Sequence, residues 1–149
     1  LSIMAFGTLK FDTLTTSDSA NTSTEKSLDT SYVFNGTAKA WVNFNGTSTV
    51  ATRDSFNVSS ITDEGTGYYS VNFSNNMGNV NYSIGGMGLE ETDTHTEGAD
   101  IQIYHDSYSN VVTTSLVKIA TGQAAVNSIQ SFLHKDIEAA MSQIHGDLA

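Results

Sequence analysis

The chain has no cysteine and no proline, a single tryptophan, and only six basic side chains against sixteen acidic ones in 149 residues. Without cysteine there is no disulfide staple and no thiolate metal site. The fold must therefore rest on an ordinary apolar core, which a chain of this length can build. The formal net charge of −10 leaves no basic face for a phosphate backbone, so nucleic acid is not an expected partner. Anionic membrane surfaces are disfavoured for the same reason. No apolar run approaches the roughly 20 residues needed to cross a bilayer, so no membrane insertion is expected. The opening Leu1-Ser2-Ile3-Met4 lacks a positive stretch followed by a long apolar one and does not read as a secretory leader, with Met4 the expected practical start.

Polarity comes instead from uncharged groups. Charged residues are 15% of the chain, whereas Ser, Thr and Asn number 19, 19 and 12. Thr favours strands, while Ser and Asn favour turns and short side-chain-to-backbone bonds. Many short strands joined by polar turns are the expected result. Six N-x-[ST] sequons, at Asn21, Asn35, Asn45, Asn57, Asn72 and Asn81, follow from that composition and are read as unmodified.

Period-two alternation is clearest in the middle of the chain. Ala40, Val42 and Phe44 alternate with Trp41, Asn43 and Asn45, and Tyr69, Val71 and Phe73 alternate with Ser70, Asn72 and Ser74. Each apolar set should share the buried side of its strand. Asn45-Gly46, Asp63 to Gly67 and Asn75 to Asn79 are turn signals. A run from Val50 to Ile61 and another from Val80 to Ile84, ended by Gly85-Gly86, add strands, and Ile101, Ile103, Val111, Val112, Leu116, Val117 and Ile119 supply the last ones. The fold class is mainly β: an antiparallel β-sandwich, jelly-roll or immunoglobulin-like, with a C-terminal amphipathic helix. The expected organisation is an N-terminal strand and polar linker over 1–31, with 17–31 as loop, a sandwich domain over 32–121 and the helix within 122–149.

That helix is predicted over 123–145 from Val126, Ile129, Leu133, Ile137, Ala140 and Ile144, spaced by three and four, with Phe132 and Met141 widening the stripe. Gly146 reads as its stop. The stripe repeats every eleven residues, which suits nearly straight packing against another helix. Val126, Ile129, Phe132, Leu133, Ile137, Met141 and Ile144 are therefore the candidate assembly surface.

Chemical motifs are sparse. The acidic stretch 90–100 with His95, together with His105-Asp106, has the residue types of a Ca²⁺ or transition-metal site but matches no defined spacing, and a solvated loop is expected. Asp54, Asp63, Glu64 and Asp106 qualify as glycosidase acids by residue type alone. There is no G-x-S-x-G elbow, and Gly65-Thr66-Gly67 is followed by no G-K-[ST]. No catalytic residue, metal or cofactor is expected. Trp41, Tyr68, Tyr104 and Tyr108 are candidate ligand or partner contacts, since aromatic faces can stack on sugar rings.

Residues 38–47, Ala-Lys-Ala-Trp-Val-Asn-Phe-Asn-Gly-Thr, then 50–63, 65–73 and 81–83, resemble a module of tail-fibre and virion structural proteins from phages of marine bacteria, including those infecting cyanobacteria. The opening Ala5-Phe6-Gly7-Thr8-Leu9-Lys10 and the stretch 12–16 are similar to the start of several such proteins. The resemblance covers about half of the chain, and its Trp41 stretch is specific. It implies a β-rich fold and a virion location, but no defined biochemical activity. The expected function is a structural subunit of a phage tail fibre or related appendage that contributes to host attachment, assembled with copies of itself, a trimer favoured, and with neighbouring virion proteins, and contacting a host surface glycan. The alternatives are a capsid decoration or head-fibre protein and a carbohydrate-binding module. The predicted C-terminal helix departs from this family pattern, in which the final part stays strand-like.

Overall fold

A computed structural model describes residues 13–15, 27–89, 99–103, 111–124 and 132–149. The chain divides into two compact units, Leu1–Thr37 and Ala38–Ala149.

In the first unit, β1 (Thr13–Thr15) pairs antiparallel with β2 (Ser27–Asp29), Leu14 opposite Leu28. A short helix, α1 (Thr30–Gly36), follows at once. Asp29 caps it: its carboxylate accepts the Ser31 amide at 2.7 Å, one of the donors left open at a helix start. Hydrogen bonds from the Ser31 hydroxyl and amide hold that carboxyl below its ordinary value. Both β2 and the start of α1 lie where the sequence predicts loop. The helix buries none of its residues and leaves Tyr32 and Phe34 largely exposed, so it has no apolar periodicity to announce it.

The second unit consists of two antiparallel sheets. One has the order β4-β3-β11-β7, formed by β3 (Ala40–Asn45), β4 (Ala51–Phe56), β7 (Ser83–Leu89) and β11 (Ala139–His145). The other is built on β5 (Val58–Gly65), β6 (Tyr68–Phe73) and β9 (Leu116–Ala124), with β8 (Ala99–Ile103) and β10 (Phe132–His134). Ile119 pairs with both Tyr69 and Ile103, and Gly122 with both Asp100 and His134. Strand β9 is thus central, with β8 on one side and β6 extended by β10 on the other.

Local chemistry explains the switches between sheets. The run from Val50 to Ile61 is two strands, because Asn57 adopts φ +55° and breaks it. Asn is among the few residues that accept this region, and its side chain fixes the corner by accepting the Asn75 amide at 2.7 Å and donating to the Asn75 carbonyl at 3.1 Å. The β5–β6 hairpin turns on Gly65 and Gly67, both at positive φ, with Asp63 accepting the Gly65 amide.

The alternation read in β3 and β6 holds: Ala40, Val42, Phe44, Tyr69, Val71 and Phe73 are all buried. They form one core with Val117, Ile119, Ile137 and Ile144.

The predicted helix over 123–145 is corrected where the chain is described. Residues 122–124 still belong to β9, Phe132–His134 to β10 and Ala139–His145 to β11; Val126 and Ile129 lie outside the described residues. The three-and-four spacing misleads because Ile137 reaches the core from the loop before β11, while β11 itself points Ala140, Ser142 and Ile144 inward. Ser142 interrupts the apolar alternation and hides the period of two. Pairing with β3 on one side and β7 on the other then decides the conformation, as non-local contacts often override local pattern. Strand β7 likewise runs through Gly85-Gly86 instead of ending there. Gly86 faces Ile101 of β8, and a Cβ on it would stand 3.0 Å from the Ile101 methyl.

Candidate functional site

Two constellations stand out in the second unit. The first is a polar knot within the core. The Tyr69 ring packs edge-on to Phe44 with centroids 5.0 Å apart. Its hydroxyl lies 2.7 Å from Asp136 Oδ1 and 3.0 Å from the Gly46 carbonyl oxygen. Asp136 Oδ1 also accepts the Gly67 amide at 2.7 Å. Around it, Thr121 gives its amide to the Gly67 carbonyl and its hydroxyl to the Lys135 carbonyl. Burial, reinforced by Asp136, pushes the Tyr69 hydroxyl far above the usual tyrosine range. These groups satisfy one another, so the knot is structural: it ties the loop before β11 to the start of β6.

The second constellation lies on the face of the β4-β3-β11-β7 sheet that points away from the core. Register places Phe56, Trp41, Gln143 and Gly85 in one cross-strand row, and Asp54, Asn43, Met141 and Met87 in the next. A cavity of about 400 Å³ opens here, lined by Trp41, Asn43, Gly85, Met87, Met141 and Gln143, with Val42, Gly86 and Ser142 between them. Gly85 has no side chain to fill its end of the row; a Cβ there would lie 3.5 Å from Gln143 Nε2. No acidic, basic or His side chain is among the described residues that line it. The Asn43 amide oxygen is buried and has no hydrogen-bond partner among the described residues, and neither has Ser142 Oγ on the neighbouring strand. Large apolar groups stand exposed on the strands of this sheet: Met87 in the cavity wall is 71% exposed, Phe56, paired with Trp41 on the edge strand β4, 52%, and Leu89, two residues beyond Met87 on β7, 54%. An uncharged, partly aromatic depression with amide groups in its wall can hold a neutral, amphipathic ligand.

The predicted contacts are not brought together. Trp41 sits in this cavity wall, whereas Tyr68 lies on β6 in the other sheet. Its ring is 4.3 Å from that of His134, which packs edge-on to Phe132. Tyr104 and Tyr108 lie outside the described residues, as do 90–98, His105 and Asp106. Among the described residues no group of three His, Asp or Glu is placed to hold a metal ion. Of the candidate acids, Asp63 is used by the Gly65 amide and Glu64 accepts the Ser70 hydroxyl at 2.6 Å, while Asp54 is on β4 in the cavity's own sheet, opposite Asn43. Of the assembly candidates, Ile137 and Ile144 are consumed by the core, Leu133 is exposed and Met141 faces the cavity. Asn43 could be read as a neighbour of Trp41 from the alternation of β3. Gln143, Met87 and Gly85 could not, because only the pairing of β11 with its two neighbours brings them there.

No protein-family model, curated protein or solved structure matches the chain.

Proposed function

We propose that residues 38–149 form a non-catalytic structural and attachment module of a phage tail fibre or related virion appendage, with the outer face of the β4-β3-β11-β7 sheet as its contact surface. The observation that carries this reading is the exposure of Met87 in the wall of the Trp41 cavity and of Phe56 and Leu89 on the edge strands of the same sheet, since exposed apolar surface beyond scattered single residues marks sites of interaction. The resemblance at 38–84 supplies the virion context. Strands at 132–134 and 139–145 remove the departure from that family pattern that a terminal helix would have made. The use of Asp63 and Glu64 in local hydrogen bonds supports a role without catalysis.

The finer fold belongs to the same proposal. The order β5-β6-β9-β8 opposite β7-β11-β3 matches the A-B-E-D and C-F-G orders of an immunoglobulin-like sandwich, with strand G supplied from the front of the chain. Self-assembly, with a trimer favoured, then uses strand surfaces instead of a helix. Immunogold labelling of phage particles with antibodies against residues 38–149 tests the reading. Label along the tail is the expected result, label on the head would replace the tail role by capsid decoration, and particles without label would overturn it.

A further inference from the structure

We infer that the cavity beside Trp41 is a binding subsite for a neutral pyranose unit of a surface polysaccharide, an inference that rests on the attachment reading and names its ligand. Four observations converge on this class. The cavity, about 400 Å³, falls at the small end of the range for ligand pockets, roughly 300–1,000 Å³, which suits one sugar ring and not a protein segment. Among the described residues its walls carry no charged side chain, Asp54 stands opposite Asn43 on the neighbouring strand, and the chain as a whole is at −10, so an acidic sugar would enter uncompensated and against the field of the protein. The Trp41 indole gives a flat apolar surface for the C–H face of a ring. The amides of Asn43 and Gln143 give donors and acceptors for its hydroxyls.

Asn43 strengthens the case. Its Oδ1 is buried without a partner among the described residues, a state that disfavours the empty site because an unmet buried acceptor is costly. The terminal torsion of Asn is soft, so a small rotation lets that oxygen accept a ligand hydroxyl. Gly85 completes the cradle. The row that holds Phe56, Trp41 and Gln143 ends at a residue with no side chain, and any Cβ there would occupy space against Gln143.

Trp41 is the only tryptophan of the chain, so its emission reports this site alone. Purified chain is titrated with the methyl glycosides of glucose, galactose, mannose and fucose, and with glucuronate as the charged control. The expected result is a saturable change in Trp41 emission with at least one neutral glycoside and none with glucuronate. Gly85→Val should lower the affinity for that glycoside at least tenfold with an unchanged melting temperature, because the added methyls fill the groove and touch no core residue. Asn43→Ala should lower it about tenfold, the effect of one lost hydrogen bond. A flat response to all four neutral glycosides, an equal response to glucuronate, or wild-type affinity in Gly85→Val would each overturn the inference. Labelled particles combined with a flat titration would remove the sugar subsite and leave the attachment module standing. A positive titration with unlabelled particles would do the reverse.

Discussion

The Tyr69 hydroxyl and Asp136 Oδ1 are 2.7 Å apart, a contact that spans 67 positions of sequence and joins β6 to the loop that leads into β11. Asp136 is shared with the Gly67 amide, and Tyr69 with the Gly46 carbonyl. Tyr69→Phe removes the one O–H that these two oxygens share, while Asp136 Oδ1 keeps the Gly67 amide. The expected cost is about 1–3 kcal/mol in urea denaturation. The double variant Tyr69→Phe with Asp136→Asn should cost less than the sum of the two singles, since both act on one network. Additive losses would show that the two groups are not coupled.

The same burial predicts an alkaline limit to stability. Tyr82 is raised to about 12 by burial, and Tyr69 is raised further by burial and Asp136. Unfolded tyrosine ionises near about 10. Between these values the folded chain binds more protons than the unfolded one, so stability must fall as pH rises. The contribution is fully present below about pH 10 and is lost as pH climbs through the folded values. Urea midpoints from about pH 9 to about pH 11.5 should fall steadily. In the double variant Tyr69→Phe with Tyr82→Phe the fall should be much shallower, and an equal fall there would assign it to other groups.

Gly67 has φ +71°, and a Cβ on it would come within 2.6 Å of both the Lys135 amide nitrogen and the Thr121 carbonyl oxygen. Gly67→Ala meets both the backbone penalty and a collision with main chain that cannot swing away. It should destabilise by at least about 1–3 kcal/mol. Gly36→Ala, where nothing lies within 4 Å, is the control and should melt like the parent chain.

Removal of everything after Gly122 should unfold the second unit. Strand β11 pairs with β3 and β7, and Ile144 is fully buried. Its loss breaks the sheet in two, and circular dichroism should lose its β signal. Ile144→Ala alone should cost about 2–5 kcal/mol. A truncated chain that keeps its β signal would return the C-terminal segment to a peripheral role.

Local pattern carried the strands whose inward side chains are uniformly apolar. Ala40-Val42-Phe44 and Tyr69-Val71-Phe73 announce their faces without outside help, and Gly65 and Gly67 sit at the turn that Asp63 to Gly67 signals, whereas the corner at Asn57, inside a run read as one strand, was not legible. It failed for β11, where Ser142 occupies a core-facing position and Ile137 adds an apolar residue out of phase, so that a period of two imitates a period near 3.6. It also missed α1, seven residues with no buried side. The Trp41 cavity was half legible: β3 puts Trp41 and Asn43 on one face, but Gln143, Met141, Met87 and Gly85 arrive from two distant segments through register alone.

The most direct test of the proposed attachment role uses the exposed rim of the face proposed as its contact surface. Purified chain is sedimented with envelope fragments of marine bacteria, cyanobacteria among them, as the host class that the proposed role implies, beside the variant Met87→Asp. Met87 is 71% exposed and touches the cavity from the solvent side, so the substitution places a charge on the contact surface with little effect on the core. The parent chain should travel with the envelope pellet while Met87→Asp, with an unchanged melting temperature, stays in the supernatant. A parent chain left in the supernatant, or a variant that sediments as well as the parent, would contradict the assignment of this face.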